Sequence, residues 1–367
     1  MASTSATSAS RAALRSSPSS RRRRDAARVA APPPRAAAKG GGLETGARDD
    51  VVSVSLESVL NFRDLASAGG SIAPGRVFRT ATPGNASEAD AAIVLNDLGV
   101  KRLLDLRSED EFEADPGPLQ SAFPEIISFT RNVDGVDDPL LRKYGKEAYD
   151  AYLRRQSDAA FLDGIDDATR AGALVRYHAP LLEYERYYLA IYDRLTAVEK
   201  VKAAVFTAQA FLYDDTNQKE LFVGKVNAGG LPLLNEVMVD GSGPEIRAAL
   251  KVIAKSTAAA PTAFYCKAGK DRTGLVAALT LHCAGLSEDE ITEDYHKSEG
   301  TGKAALGGGR IERGVNIDYS RFYGSPKAVM EGVLAYVKTN HGSVDGYLDS
   351  IGFDASDREA LREALCD

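Results

Sequence analysis

Two short runs of apolar residues, in KRLLDLR (101–107) and TAFYC (262–266), each follow a segment whose apolar positions recur at helical spacing. Short apolar runs bounded by polar residues fit strands buried on both faces, and a 3.6-residue period fits helices packed against them. The first helix, SEADAAIVLNDLG, takes Ser87 as its N-cap and Gly99 as its stop. A second begins near Pro244 and leads into TAFYC. A third, TGLVAALTLHCAG, starts at Thr273 and is apolar on almost every side, which predicts a buried helix. Ser287 with Glu290, and Ser356 with Glu359, have capping-box spacing and predict two further helix starts. Strands that alternate with helices predict an α/β fold with a central, mostly parallel sheet flanked by helices.

Two segments carry a weaker pattern. Between roughly 140 and 200, LRKYGKEAYDAYLRRQ and PLLEYERYYLAIYDRL are tyrosine-rich and charged, and predict helices that form either a lid over a site or a packed surface layer. Residues 207–241 give mixed signals and predict no single element.

Composition sets the class. A chain of 367 residues with 44% hydrophobic side chains can bury a large core, as one large domain or two ordinary ones. No run approaches the roughly 18–20 apolar residues that cross a bilayer, so no transmembrane segment is expected. Three cysteines (Cys266, Cys283 and Cys366) make no disulfide framework, which points to a reducing compartment. The first 48 residues differ from the rest. They hold nine Arg and Lys39 against Asp25 and Glu44, a charge of +8; with −7 for the whole chain, the remainder (49–367) carries −15. A Ser- and Arg-rich, acid-poor N-terminus resembles an organelle transit peptide, for which chloroplast fits better than mitochondrion. A basic tail on a cytoplasmic protein is the alternative. Because the body is acidic, nucleic acid is not an expected partner.

The chemistry gathers in YCKAGKDRTG (265–274), between a predicted strand and a predicted helix. That is the sheet edge where ligands bind in parallel α/β folds. A nucleoside-triphosphate loop is excluded, because Asp271 follows Lys270 and Phe264 stands where the first glycine belongs. What remains is a cysteine, five residues, then Arg-Thr-Gly. A turn through Lys267, Ala268, Gly269 and Lys270 directs backbone N–H groups inward as an anion nest, and the following helix N-terminus reinforces it. Arg272 adds a planar fork suited to phosphate oxygens. Cys266 lies beneath the anion, in a field that favours the thiolate needed for covalent catalysis. Asp271 is the nearest carboxyl for leaving-group protonation, with Asp240 as a competitor on another loop. Thr273 is a candidate donor to the cysteine sulfur, and Lys270 adds charge for polyanions. The four histidines (His178, His282, His296 and His341) lack metal-ligand spacing, so neither metal nor other cofactor is expected.

CKAGKDRTG resembles the signature of the cysteine-dependent protein tyrosine phosphatases, and in particular the tyrosine and lipid phosphatases related to mycobacterial tyrosine phosphatase B. NFRDLA (61–66), PGRVFRTATP (74–83), LLDLRSEDEF (103–112), LSEDEITEDYHKS (286–298) and HGSVDGYLDSIGF (341–353) resemble that family's blocks in the same order. The likeness implies a cysteine-phosphatase fold over residues 49–367, with 140–200 as a helical lid. It also implies Cys266 as nucleophile, Arg272 as phosphate ligand, Asp271 as general acid and Lys270 as a contact for multiply phosphorylated head groups. Substrates would be phosphorylated proteins or phosphoinositides. Tyr265 departs from the family's histidine before the cysteine, which removes one contribution to the thiolate. Arg63, Asp64 and Arg107 either face the site or form internal ion pairs. Two other function classes remain open: a catalytically silent phosphate-binding module, and a sulfur or arsenate transferase.

Overall fold

Among the described residues, one six-stranded sheet carries the architecture. Its strands are β1 (Arg63–Asp64), β2 (Val77–Thr80), β3 (Arg102–Asp105), β4 (Glu125–Ser128), β5 (Val175–His178) and β6 (Thr262–Tyr265), in the order β1-β2-β6-β3-β5-β4. β1 runs antiparallel to β2, and every other neighbouring pair is parallel. All residues of β2, β3, β5 and β6 are buried, whereas edge strand β4 is partly exposed. Burial on both faces fits the apolar pairs at the centres of β3 and β6, Leu103-Leu104 and Ala263-Phe264, whereas β5 buries Arg176 and His178 and shows no apolar run. The register sets Tyr265 beside Thr80 on one side and Asp105 on the other. The carboxyl ends of the central strands therefore share one edge.

This is a computed structural model, and the residues it describes are 54–113, 117–129, 161–166, 172–182, 184–212, 216–306 and 317–366. They lie within a single unit, 42–367. The basic segment 1–48 falls outside the described residues, as do 140–160, 167–171 and 183 of the expected 140–200 lid.

Most expected helices are present, with informative shifts at their ends. Ser87 caps the helix Glu88–Ala92 by accepting from Asp90 N, and the chain continues as a wider turn through Ile93–Asp97 before Gly99, whose φ is +63°. The helix after β6 spans Asp271–Cys283, beginning at Asp271 because the Lys270 carbonyl already accepts Gly274 N at 2.6 Å. An acid in the first turn suits the positive end of the helix dipole. Leu275, Val276, Leu279 and Leu281 on this helix are fully enclosed. Each such side chain stabilises the fold by roughly 1.5–3 kcal/mol. Ser287 and Glu290 form both arms of a capping box. The last helix is different: it runs from Ala355 to Leu365, and Asp354 caps it by accepting from Ser356 N and Asp357 N. The Ser356/Glu359 spacing misplaced that start, because the aspartate two residues earlier already caps the first amides of the helix.

Two weakly patterned segments resolve on the sheet and its helical layer. Within 140–200, Val175–His178 is a buried strand, so that part is core and neither lid nor surface helix. Helix Tyr184–Asp193 follows it. Residues 216–241 form a helix kinked at Gly230, where φ is +55°, two residues before Pro232. The kink explains the mixed signals, since neither half keeps one continuous apolar face.

Candidate active site

β6 delivers Cys266 to the carboxyl edge of the sheet, where it is buried at 3% exposure. Past it the chain turns sharply, and the turn is held from behind through its carbonyls. Lys267 O accepts from Thr82 N at 3.2 Å, Ala268 O from Asn61 Nδ2 at 3.2 Å, and Gly269 O from both Asn61 Nδ2 at 2.8 Å and Arg79 Nη2 at 2.9 Å. In a trans peptide the carbonyl and the following N–H point in opposite directions. Three carbonyls drawn backward therefore turn the N–H groups of Ala268, Gly269 and Lys270 toward the inside of the loop. Asp271, Arg272 and Thr273 add the unpaired amides of a helix N-terminus. Together these donors make a nest for an anion.

Gly269 is required by this geometry. Its φ is +64°, and a Cβ there would stand 2.4 Å from Thr80 O. No other residue combines that dihedral with so close an approach.

The clamp behind the loop is itself braced. Arg79 is fully buried in β2 and pairs with Asp294, which also receives Arg63 Nε at 3.0 Å. Burial alone would raise the Asp294 pKa, but the two guanidinium groups outweigh it and bring it down to about 2. Arg63 is lowered to about 10 by burial and by the neighbouring Arg79. Ser298 Oγ accepts from both Arg63 and Asn61 at 3.2 Å.

On the open side, Arg272 and Glu111 form a two-toothed pair, Nη1 to Oε2 at 2.6 Å and Nη2 to Oε1 at 3.3 Å. Burial works against both charges, yet Arg272 brings Glu111 down to about 2, and Glu111 with Cys266 keeps the Arg272 guanidinium above its ordinary pKa. Asp271 Oδ1 accepts from Lys270 Nζ at 2.8 Å and Tyr295 Oη at 3.1 Å. Cys266, Lys267, Ala268, Asp271 and Arg272 form the floor of a cavity of about 200 Å³. Its walls are Leu182, Tyr187, Val226, Leu234, Ile317, Tyr319 and Phe322, a ring of apolar and aromatic side chains.

A sequence profile of the tyrosine phosphatase family matches residues 54–367. The chain belongs to this family. Its members are phosphoric monoester hydrolases. Among curated relatives, a tyrosine-protein phosphatase of Nostoc commune is 37% identical over 112 residues, covering 28% of this chain and 38% of the relative. The triple specificity protein phosphatase PtpB of Mycobacterium tuberculosis is 28% identical over 243 residues, covering 66% of this chain and 68% of the relative. The chain thus spans well under half of the first relative and about two thirds of the second.

With the family in place, the expected site residues sort into two groups. Cys266, Lys267, Ala268, Asp271 and Arg272 converge on the cavity, and Gly269 shapes the turn beneath it. Others do not reach it. Lys270, expected to meet polyanions, is fully buried, and its ammonium donates to Asp271 and to Gly324 O at 2.8 Å. Lys267 is the exposed lysine of the loop. Thr273 Oγ1 is buried and makes no bond to the Cys266 sulfur. Arg63 braces Asp294, as described. Asp64 turns away to cap the chain by accepting from Ala66 N at 2.9 Å and Gly75 N at 2.6 Å, and its burial raises its pKa to about 6. Arg107 pairs with Asp105 through Nε at 2.9 Å and Nη2 at 2.7 Å, and lies over the Tyr265 ring. Asp240 accepts from Tyr336 Oη at 2.7 Å and pairs with Arg194, away from the cavity lining. Asn61, Arg79, Asp294, Glu111 and Tyr295 were missed, although an arginine inside the otherwise apolar VFRTA was a visible signal that a charge is held in the core.

Proposed function

We propose that the chain hydrolyses phosphate monoesters through a phosphocysteine on Cys266, and that its preferred substrates are aryl phosphates such as phosphotyrosine. The observation that carries this reading is the convergence of a thiol, an inward-facing amide nest, a guanidinium and a carboxyl on one cavity floor.

The chemistry follows from the positions. The Cys266 thiolate attacks phosphorus, the ester P–O bond breaks, and the departing oxygen takes a proton from Asp271. The nest and Arg272 hold the three equatorial oxygens as charge shifts across them. Water then attacks phosphorus and gives a proton to Asp271, the P–S bond breaks, and inorganic phosphate leaves with the thiolate restored.

The substrate class rests on the walls. A phenyl ring fits the apolar ring of Leu182, Tyr187, Val226, Leu234 and Phe322, whereas a multiply phosphorylated head group needs cations that those residues do not supply. Lys267, exposed at the floor, suits one further negative charge, such as an acidic residue flanking the phosphotyrosine. The composition of residues 1–48 supports an organellar address, chloroplast first, which fusion of that segment to a fluorescent reporter checks.

Steady-state hydrolysis by the wild type, Cys266→Ser and Asp271→Asn is the test. Turnover of phosphotyrosine peptide that Cys266→Ser abolishes, with phosphoserine peptide and inositol bisphosphate turned over at least about tenfold less efficiently, is the expected result. Equal turnover of all three removes the aryl preference. Binding of phosphate without any turnover removes the hydrolase reading and leaves a phosphate-binding module.

A further inference from the structure

Lys270 raises the question of why a cation is enclosed in a phosphate-binding loop yet kept out of the phosphate's reach. An isolated ammonium in a protein interior costs several kcal/mol. Here it is held by Asp271 Oδ1 and by Gly324 O, each at 2.8 Å. Tyr295 Oη donates to the same Oδ1 at 3.1 Å. Both described bonds fall on one carboxylate oxygen, Oδ1, of a residue that lines the cavity.

Room for this arrangement is built into the helix. A Cβ at Gly274 would stand 2.8 Å from Tyr295 Cδ2, so the glycine after Arg272-Thr273 lets the tyrosine ring lie against the helix and reach Asp271. Gly324 closes the segment that supplies Ile317, Tyr319 and Phe322 to the cavity wall. One ammonium thus links the carboxyl in the floor to the segment that forms part of the wall.

We infer that Lys270 and Tyr295 are positioning residues that fix the orientation of Asp271, with Lys270 tying that orientation to the 317–324 wall, and that Lys270 does not touch substrate. The inference rests on Asp271 acting as proton donor. A carboxyl that rotates freely about its two side-chain torsions spends little time aimed at the leaving oxygen, and misplacement by about 1 Å can lower a rate by roughly 100-fold.

The experiment compares kcat/KM on two esters, phenyl phosphate, whose leaving group needs the proton, and nitrophenyl phosphate, whose leaving group needs it far less. Variants are Lys270→Met, Tyr295→Phe, Asp271→Asn and both doubles with Asp271→Asn. Inhibition by inorganic phosphate reports the integrity of the nest. Lys270→Met is expected to lose about tenfold or more on phenyl phosphate and Tyr295→Phe about threefold, with smaller losses on nitrophenyl phosphate and an unchanged phosphate inhibition constant. In the Asp271→Asn background both losses should vanish, because the group being aimed is gone. If Lys270→Met fails to fold, Tyr295→Phe carries the same test.

Equal losses on both esters with weakened phosphate inhibition would make Lys270 a substrate contact and overturn the inference. Losses that persist beside Asp271→Asn overturn it as well. If Asp271→Asn by itself affects both esters equally, the proton-donor assignment fails first, and that outcome is recognisable from the single variant alone.

Discussion

The two faces of the Cys266 loop are opposites. Behind it, the carbonyls of Lys267, Ala268 and Gly269 are bonded to Thr82, Asn61 and Arg79, and Arg79 is locked to a buried Asp294 that also holds Arg63. In front, the matching amides open onto a cavity with Cys266, Asp271 and Arg272 on its floor. The closed face has its polar groups paired with protein, whereas on the open face Arg272 and Asp271 have protein partners and the inward-turned loop amides are left for a ligand. Pre-organisation is the lesson: donors held in place before the anion arrives need no reorganisation when charge develops on it. The side chains that achieve this come from NFRDLA, VFRTA and the helix Glu288–His296, none of them adjacent to the loop in sequence.

The contrast implies that damage to the open face alters chemistry and leaves the fold, whereas damage to the closed face alters both. The largest effect belongs to the open face. Cys266→Ser should lower turnover by about four orders of magnitude or more while inorganic phosphate still binds and the melting temperature barely moves. A variant that keeps appreciable turnover breaks the assignment.

Next comes the closed face. Arg79→Met removes one partner of a buried ion pair and the donor to Gly269 O, and should cost about 3–5 kcal/mol in chemical denaturation. Phosphate affinity should fall with it, which separates this variant from an ordinary core defect such as Leu279→Ala, expected to cost about 2–5 kcal/mol with phosphate affinity retained in the folded fraction.

Gly269→Ala tests the shape of the turn between the two faces. Strain of about 1–3 kcal/mol from the positive φ, joined to contact with Thr80 O, should weaken phosphate inhibition more than it lowers stability.

The smallest effect is a pH dependence. Asp294 titrates near 2 in the fold against an ordinary 3.8. Its contribution, about 2 kcal/mol, is present above the unfolded value and is lost as pH falls from about 4 to about 2. Asp294→Asn should flatten that acid limb in a stability titration, though it also lowers stability at neutral pH. Glu111 titrates in the same window, so Glu111→Gln is the companion that divides the limb between the two faces.

Local features of this fold were legible in the sequence because local chemistry decides them. Apolar runs marked β3 and β6, Ser87 and Ser287 marked helix starts, and the spacing of Cys266, Arg272, Thr273 and Gly274 marked the loop. What escaped was long-range. Arg79 and Asp294 lie 215 residues apart along the chain, and nothing in either neighbourhood names the other. Lys270 was misread for a related reason, since a lysine in a phosphate loop has the same letters whether it faces the cavity or is enclosed by Gly324 and Asp271. Arg63, Asp64 and Arg107 sit near the correct sheet edge, but which way each side chain turns depends on partners supplied by the fold. Residues 175–178 hid as a strand because a tyrosine-rich stretch on each side imposed a helical reading.

The most direct test of the account is acid quenching of the full chain during turnover of an aryl phosphate, followed by intact mass and peptide mapping. One phosphate per chain, located on Cys266 and absent from Cys266→Ser, is the expected result. Full turnover with no adduct at Cys266 under conditions that trap other acid-stable phosphoenzymes, together with activity retained by Cys266→Ser, would contradict it.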